Sequence, residues 1–137
     1  MRSVDLPEAL NLLDAEVRFI DVRSVEEYTE GHIPGAFNVP FELARGDRLE
    51  DNPEFVSLIA NVVAPAERAL LYCHSGSRSE RAARAMERAG YRELLHLEVG
   101  WDGRRDPFGQ LTPGWRRNGL PQTTQSLPGR DYAALVG

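Results

Sequence analysis

Residues 69–79 read Ala-Leu-Leu-Tyr-Cys-His-Ser-Gly-Ser-Arg-Ser, an apolar run followed by a short polar loop. The apolar run predicts a buried strand, and the alanine-rich sequence after the loop predicts an amphipathic helix. Cys73, the only cysteine of the chain, therefore lies where a strand ends and a helix begins. Backbone N–H groups at a helix N-terminus lack partners within the helix, so this position favours bound anions and an ionised thiol. Gly76 lets the backbone curl around the sulfur, and Arg78 adds a positive charge.

The regions on both sides of this loop alternate between predicted strands and predicted helices. Strands are predicted at residues 17–22, 36–39, 69–72 and 94–99, and helices at residues 6–13, 24–30, 53–60 and 78–89. This alternation is typical of an α/β fold in which helices cover both faces of a parallel sheet. Functional groups of such sheets lie at the carboxyl ends of the strands, which is the position of Cys73.

Two segments lack this pattern. Residues 102–114 contain three glycines and two prolines, a composition that predicts a loop. Residues 122–137 are weakly patterned, so we expect either a flexible tail or an arm that packs on a neighbour. The sequence thus predicts one domain over residues 1–121, with a loop insert at 102–114 and a C-terminal tail at 122–137.

The composition argues against several classes of protein. The net charge of −5 argues against nucleic acid as a partner, and no apolar stretch approaches the roughly 18 residues of a membrane span. The first residues lack the apolar core of a signal peptide, and a single cysteine cannot form an internal disulfide, so we expect a cytoplasmic protein. All 16 basic residues are arginine, which excludes Schiff-base chemistry and a P-loop lysine. Five of these arginines lie in residues 73–92, so one positive segment begins at the cysteine.

Short motifs occur in a distinctive order along the chain. They are Ile-Asp-Val-Arg at 20–23, Glu-Gly-His-Ile-Pro-Gly-Ala at 30–36 with Asn38 and Pro40, the loop at 72–79, Gly90-Tyr91, and Trp115 with Gly-Leu-Pro at 119–121. This ordered set resembles the motifs of single-domain rhodaneses, whose superfamily also contains cysteine phosphatases and arsenate reductases. The resemblance covers about residues 4–121. It implies a three-layer α/β/α fold with a central five-stranded parallel sheet.

The resemblance also implies a sulfurtransferase whose catalytic nucleophile is Cys73. This cysteine would take sulfane sulfur from a donor such as thiosulfate, carry it as a persulfide and give it to a thiol or cyanide acceptor. The loop that binds the substrate anion would consist of His74, Ser75, Gly76, Ser77, Arg78 and Ser79. No cofactor and no metal are implied, and the chain has no Cys or His set at zinc-ligand spacing. The loop runs six residues from Cys73 to Arg78, the length used for sulfur substrates, whereas the phosphatase and arsenate reductase branches use a longer one.

Some side chains near the loop have two interpretations. Arg78 either binds the sulfonate end of the donor or braces the loop through an acidic partner. His74 either tunes the cysteine or points away from it. Asp21 and Arg23 are expected to form a structural pair that supports the pocket, with Arg23 also a candidate contributor to the anion site.

Two histidines and one insert complete the set of candidates. His32 is expected to stabilise a turn near the pocket, and His96 to be a satisfied histidine in the core or at a strand edge. The chain has Gly100-Trp101 where the family usually has a pair of small residues. The insert at 102–114 follows the carboxyl end of a strand, where it can cover the pocket and alter the acceptor.

Two other functions stay open at this point. A sulfur-carrier or regulatory module would exchange persulfide sulfur with a partner protein, and its turnover of small molecules would be incidental. The positive segment and the insert are compatible with this function. A phosphatase or arsenate reductase on the same scaffold would need the longer loop and an acid near the leaving group, and the sequence indicates neither.

Overall fold

The computed structural model describes all 137 residues and has a parallel sheet at its centre. In chain order the elements are β1 (Arg2–Val4), α1 (Leu6–Asn11), β2 (Val17–Asp21), α2 (Val25–Glu30), β3 (Phe37–Asn38), β4 (Glu42–Arg45), β5 (Arg48–Asp51), α3 (Phe55–Ile59), β6 (Arg68–Tyr72), α4 (Ser77–Arg88), β7 (Leu94–Leu97), β8 (Gly103–Arg105), β9 (Leu111–Pro113), a 3-10 helix (Trp115–Asn118) and α5 (Tyr132–Val136). The central sheet has the strand order β1-β7-β6-β2-β3, and each pairing is parallel. The predicted five-stranded parallel sheet is therefore confirmed.

Helices cover both faces of this sheet, which completes the predicted three layers. One core cluster packs α3 and α4 against the sheet through residues such as Ile59 and Met86. The other packs α1, α2 and the 3-10 helix through Ala9, Tyr28 and Trp115. The longest helix, α4, has 12 residues, and none of the helices combines the length and apolarity needed to cross a membrane.

Local sequence signals account for where the helices begin. The Asp5 carboxylate accepts a hydrogen bond from the Glu8 N–H at 3.0 Å and so caps α1. At α2, the Ser24 hydroxyl accepts from the Glu27 N–H at 3.2 Å, while the Glu27 carboxylate accepts from the Ser24 N–H at 3.1 Å. Together these two hydrogen bonds form a capping box, which holds the Glu27 carboxylate at the N-terminal end of α2.

Residues 102–114 form a β-hairpin, so the prediction of a loop there is wrong. β8 and β9 pair antiparallel, and the Asp106 carboxylate closes the turn by accepting from the N–H groups of Phe108 and Gln110, at 2.9 Å each. Gly109 has a φ of +81°, which suits a glycine. Pro107 and Gly109 thus lie in the turn, while the other glycines and prolines of the insert lie in or next to its strands. Each strand has only three residues, too few for an alternating pattern to be visible in the sequence.

The sequence pattern also misses a second hairpin and one strand of the central sheet. β4 and β5 pair antiparallel across a turn at Gly46, whose φ is +66°. β1 lies at the edge of the sheet beside β7 and buries only Val4. Both features are short or exposed, so they carry little of the periodicity that reveals longer elements.

Residues 122–137, predicted to be a flexible tail or an arm on a neighbour, pack against the domain itself. The backbones of His32 and Thr123 exchange two hydrogen bonds, at 2.9 and 3.0 Å. Further along, the Arg130 guanidinium donates to the Gly35 carbonyl at 2.6 Å. Side chains of α5 pack on the core cluster that contains α3. Packing against the sheet layers therefore continues beyond residue 121.

Candidate active site

The loop that carries Cys73 lies between β6 and α4, as expected from the sequence. Gly76 has a φ of +101°, and a Cβ there would lie 2.3 Å from the carbonyl oxygen of Glu98. Gly100, at the end of the neighbouring strand, has a φ of +66°, and a Cβ there would lie 2.6 Å from the carbonyl oxygen of His74. At each position only glycine combines a positive φ with the lack of a Cβ. These two glycines let the Cys73 loop and the residues that follow β7 approach closely.

The Cys73 sulfur lies in a cradle of hydrogen-bond donors. The N–H groups of Gly76 and Ser79 donate to Sγ at 3.1 and 3.3 Å, and the Ser79 hydroxyl oxygen lies 3.6 Å from Sγ. The cysteine is 1% exposed. These donors belong to the first turn of α4, whose N-terminal dipole also favours negative charge on the sulfur. The side chains of Ser75 and Ser77 make no hydrogen bond to Sγ.

Arg78 braces the loop through an acidic partner, which is one of the two roles considered for it. Its guanidinium donates to both carboxylate oxygens of Glu27, at 2.8 and 3.1 Å. Burial alone would raise the pKa of Glu27, but hydrogen bonds from Arg78 and Ser24 outweigh it and lower the pKa to about 2. This bidentate ion pair connects the Cys73 loop to the start of α2.

His74 lines a cavity beside the Cys73 loop and faces acidic side chains, and it makes no hydrogen bond to Cys73. Its Nε2 is 3.5 Å from an Asp102 carboxylate oxygen, and its Nδ1 is 4.0 Å from Glu27. Burial would raise the pKa of Asp102, but hydrogen bonds from Arg117 and Arg116 lower it. A cavity of about 400 Å³ opens here, lined in part by His74 and Arg116. The hairpin insert therefore supplies one charged group beside this cavity, the carboxylate of Asp102.

Asp21 and Arg23 form the expected structural pair, and the structure shows that both are buried. Arg23 Nη2 lies 2.7 Å from Asp21 Oδ2 and also donates to the Gly31 carbonyl at 2.7 Å. The guanidinium carbon lies 4.9 Å from the ring centre of Trp101, a cation–π contact. Burial lowers the pKa of Arg23, but Asp21 more than compensates and the net shift is upward. Arg23 also lines the cavity beside His74, although its donors are largely used within the protein.

His32 lies in a turn rather than beside the sulfur. Its Nδ1 is 2.8 Å from the Tyr28 carbonyl, and its Nε2 is 3.2 Å from the Gln125 carbonyl. The imidazole stacks on the Tyr28 ring with 3.7 Å between the ring centres. These contacts agree with the turn-stabilising interpretation and leave no ring nitrogen free to act as a base at Cys73.

Three groups at the site were not singled out by the sequence pattern. Glu27 is visible there only as a capping residue, and Asp102 only as part of a polar segment. His96, expected to be a satisfied histidine, is 3% exposed, and its Nδ1 lies 3.1 Å from the Ser79 hydroxyl. No local signal relates these residues to Cys73, because contacts between distant segments bring them together. No group of three or more His, Cys, Asp or Glu side chains is arranged to hold a metal ion.

Comparison with known proteins identifies relatives of this chain. The sequence profile of the rhodanese-like domain matches residues 5–105. Among curated proteins, the chain is similar to thiosulfate sulfurtransferase 16, chloroplastic, of Arabidopsis thaliana, with 34% identity that covers 87% of this chain and 90% of the relative. It is also similar to the putative sulfur carrier protein YrkF of Bacillus subtilis, with 33% identity that covers 77% of this chain and 48% of that protein.

Solved structures share the same architecture. The M. tuberculosis protein Rv0390 superposes with a TM-score of 0.74 and 23% identity, covering 91% of this chain and 98% of that chain. A thiosulfate sulfurtransferase from Pseudomonas aeruginosa superposes with a TM-score of 0.65 and 23% identity, covering 96% of this chain and 21% of that one. At these identities the likeness establishes a common fold.

Proposed function

Because the chain belongs to the rhodanese-like domain family, we propose that it is a sulfurtransferase that carries sulfane sulfur as a persulfide on Cys73. The observation that carries this proposal is the pair of backbone N–H groups directed at Sγ, from Gly76 and Ser79. Such donors stabilise a thiolate without needing to reorient during the reaction. The relatives named as a thiosulfate sulfurtransferase and a putative sulfur carrier support the same chemistry.

The reaction would proceed in two displacements at sulfur. The Cys73 thiolate attacks the outer sulfur of thiosulfate, and sulfite leaves with the electron pair of the broken S–S bond. The enzyme then holds Cys73–S–S⁻. An acceptor thiolate attacks the outer sulfur of this persulfide, forms its own persulfide and returns Cys73 as the thiolate, which is a ping-pong scheme. Cyanide in place of the thiolate would leave as thiocyanate.

The loop geometry supports sulfur rather than phosphate as the transferred group. Cys73 and Arg78 enclose a loop of six residues, and the Arg78 guanidinium is already paired with both oxygens of Glu27. The resemblance to rhodaneses implies that the phosphatase branches use a longer loop, and two hydrogen bonds to a phosphate require a guanidinium that is free to form them. The donor anion would therefore be held chiefly by loop N–H groups, with His74 and Arg116 lining the cavity beside the loop.

A sulfur-carrier role is the second candidate, because the chain resembles YrkF, a putative sulfur carrier. In that role a persulfidated protein would charge Cys73, and thiosulfate would be a poor donor. The chain has no second cysteine to receive the sulfur, so the acceptor is external in either case. A protein donor would approach the Cys73 loop on the side of His74, whose side chain is 49% exposed.

Intact mass spectrometry tests the proposal. Reduced protein incubated with thiosulfate is expected to gain about 32 Da, one sulfur atom, and to lose it again with cyanide. Cys73→Ser is expected to gain nothing. A gain that requires a persulfidated protein rather than thiosulfate would favour the carrier role. The absence of any adduct with thiosulfate, mercaptopyruvate or a persulfidated protein would refute sulfur transfer through Cys73.

A further inference from the structure

A buried histidine contacts the site but has no role in the reaction described above. His96 lies on β7, opposite Leu71 of β6, and is 3% exposed. Its Nδ1 lies 3.1 Å from the Ser79 hydroxyl oxygen, which in turn lies 3.6 Å from Cys73 Sγ. A continuous line of polar atoms thus joins the imidazole to the reactive sulfur.

The Ser79 hydroxyl is the branch point of this line. Its oxygen is 3.1 Å from the Gly76 carbonyl, 3.1 Å from His96 Nδ1 and 3.6 Å from Sγ. A hydroxyl has a single hydrogen, so it can donate to only one of these three atoms at a time. The Gly76 carbonyl also accepts from the Glu80 N–H at 3.1 Å, so it stays satisfied when Ser79 donates elsewhere. The Ser79 hydroxyl can therefore rotate to donate its hydrogen to the sulfur when the sulfur is ionised, and to another acceptor when it is not.

Burial favours the neutral form of the His96 imidazole. Burial lowers its pKa, while nearby charges act in both directions: Glu80 and Glu98 raise the pKa, and Arg104 and Arg84 lower it. The net shift is downward. A neutral imidazole carries its hydrogen on one nitrogen only, and Nε2 makes no hydrogen bond within the protein. Its tautomer is thus selected by what Nδ1 faces, which is the Ser79 hydroxyl.

We propose that His96 is a positioning residue that directs the Ser79 hydroxyl hydrogen at the Cys73 thiolate. With its hydrogen on Nδ1, His96 donates to the Ser79 oxygen, and Ser79 in turn donates to Sγ. When the cysteine is a neutral thiol, its S–H donates to the Ser79 oxygen instead, and Ser79 donates to the Gly76 carbonyl or to the other tautomer of His96. The inference rests on the proposed function, because it concerns the ionised sulfur that would attack the donor.

The proposal can be tested by measuring how readily Cys73 ionises in the wild type and in variants that lack part of this line of contacts. Because the chain has a single cysteine, the ultraviolet absorbance of the thiolate can be titrated with Cys73→Ser as the blank. His96→Leu removes the ring nitrogen, and Ser79→Ala removes the hydroxyl. Each is expected to lower the acid dissociation constant of the thiol by about threefold to tenfold, the equivalent of one hydrogen bond. His96→Asn, which keeps a polar donor close to the position of Nδ1, is expected to restore most of the loss.

A double variant separates positioning from packing. If His96 acts through Ser79, His96→Leu should have no further effect on the titration once Ser79→Ala is present. Ser3→Ala is the matched control, because Ser3 lies opposite His96 in the sheet register and outside this line of contacts. Thermal unfolding verifies that each variant is folded. If His96→Leu does not fold, Ser79→Ala is compared in the wild-type and His96→Asn backgrounds instead. We expect it to lower the acid dissociation constant of Cys73 by the same factor in both.

Defined results would overturn the inference. These are an unchanged titration in folded His96→Leu, additive losses in the double variant, no recovery in His96→Asn, or no loss on Ser79→Ala. The proposed function fails by a different readout, the absence of a persulfide on the wild-type protein in the mass experiment. Formation of the persulfide together with an unchanged titration would refute the positioning role alone.

Discussion

The ion pair between Glu27 and Arg78 gives the chain a defined sensitivity to acid. Glu27→Gln removes the negative charge but keeps an amide that can still complete the capping box with Ser24. The Arg78 guanidinium then loses its charged partner while it stays partly buried. We expect the variant to be less stable than the wild type at neutral pH and to bind thiosulfate more tightly, because the guanidinium is released toward the donor.

The size of the stability loss follows from the pKa of Glu27. The pKa falls from 4.5 to about 2 on folding, which corresponds to at most about 3 kcal/mol. The two side chains are 31% and 22% exposed, so solvent screening reduces this figure. We therefore expect Glu27→Gln to cost about 1–2 kcal/mol at pH 7. Since the folded pKa is the lower one, the stabilisation is complete above pH 4.5 and is lost as the pH falls toward 2.

Urea denaturation of both proteins across this pH range measures the effect. The difference between wild type and Glu27→Gln should be constant above pH 4.5 and should shrink steadily below it. Glu26→Gln is the matched control, because Glu26 lies in the same helical turn and makes no ion pair. A deficit for Glu27→Gln that matches the control, or one that persists unchanged toward pH 2, would refute this account of the pair.

Two further predictions concern the supports of the site. Gly76→Ala places a Cβ at 2.3 Å from the Glu98 carbonyl oxygen and should cost about 2–4 kcal/mol in urea denaturation. Gly46→Ala, with a positive φ and open space around it, should cost only about 1–2 kcal/mol, and equal losses would show that the contact with Glu98 is unimportant. Asp21→Asn leaves the Arg23 guanidinium buried without its counter-charge and should cost about 3–5 kcal/mol. A loss below about 1 kcal/mol in the same assay would contradict the pairing argument.

The parts of the fold that the sequence predicts are those with enough residues to show a period or a cap. β6 is apolar over four of its five residues, and α2 is bounded by the Ser24 capping box. β1 has three residues, and β8 and β9 have three each, so neither alternation nor composition reveals them. Composition also misleads at the insert, where the glycines and prolines of a turn suggest a loop without strands.

The candidate site, like the fold, has parts that the sequence predicts and parts that it does not. The Cys73 loop can be recognised because its residues are consecutive and its chemistry is local to one strand–helix junction. Glu27 and Asp102 reach the loop from other segments, so their relation to Arg78 and His74 exists only in three dimensions. His96 is a similar case: the sequence places it in a strand, and only the packing of α4 on β7 brings it to Ser79.

The pairing of β1 with β7 has a consequence for how the protein is made. β1 is synthesised before the other four strands of the sheet, yet its partner, from Leu95 to Leu97, belongs to the last of the five to be synthesised. Because β7 lies between β1 and β6, β1 pairs with no strand that is synthesised before β7. β1 therefore has no partner in this sheet until β7 has been synthesised. Closure of the sheet is a late event, and it waits on a contact between residues far apart in the chain.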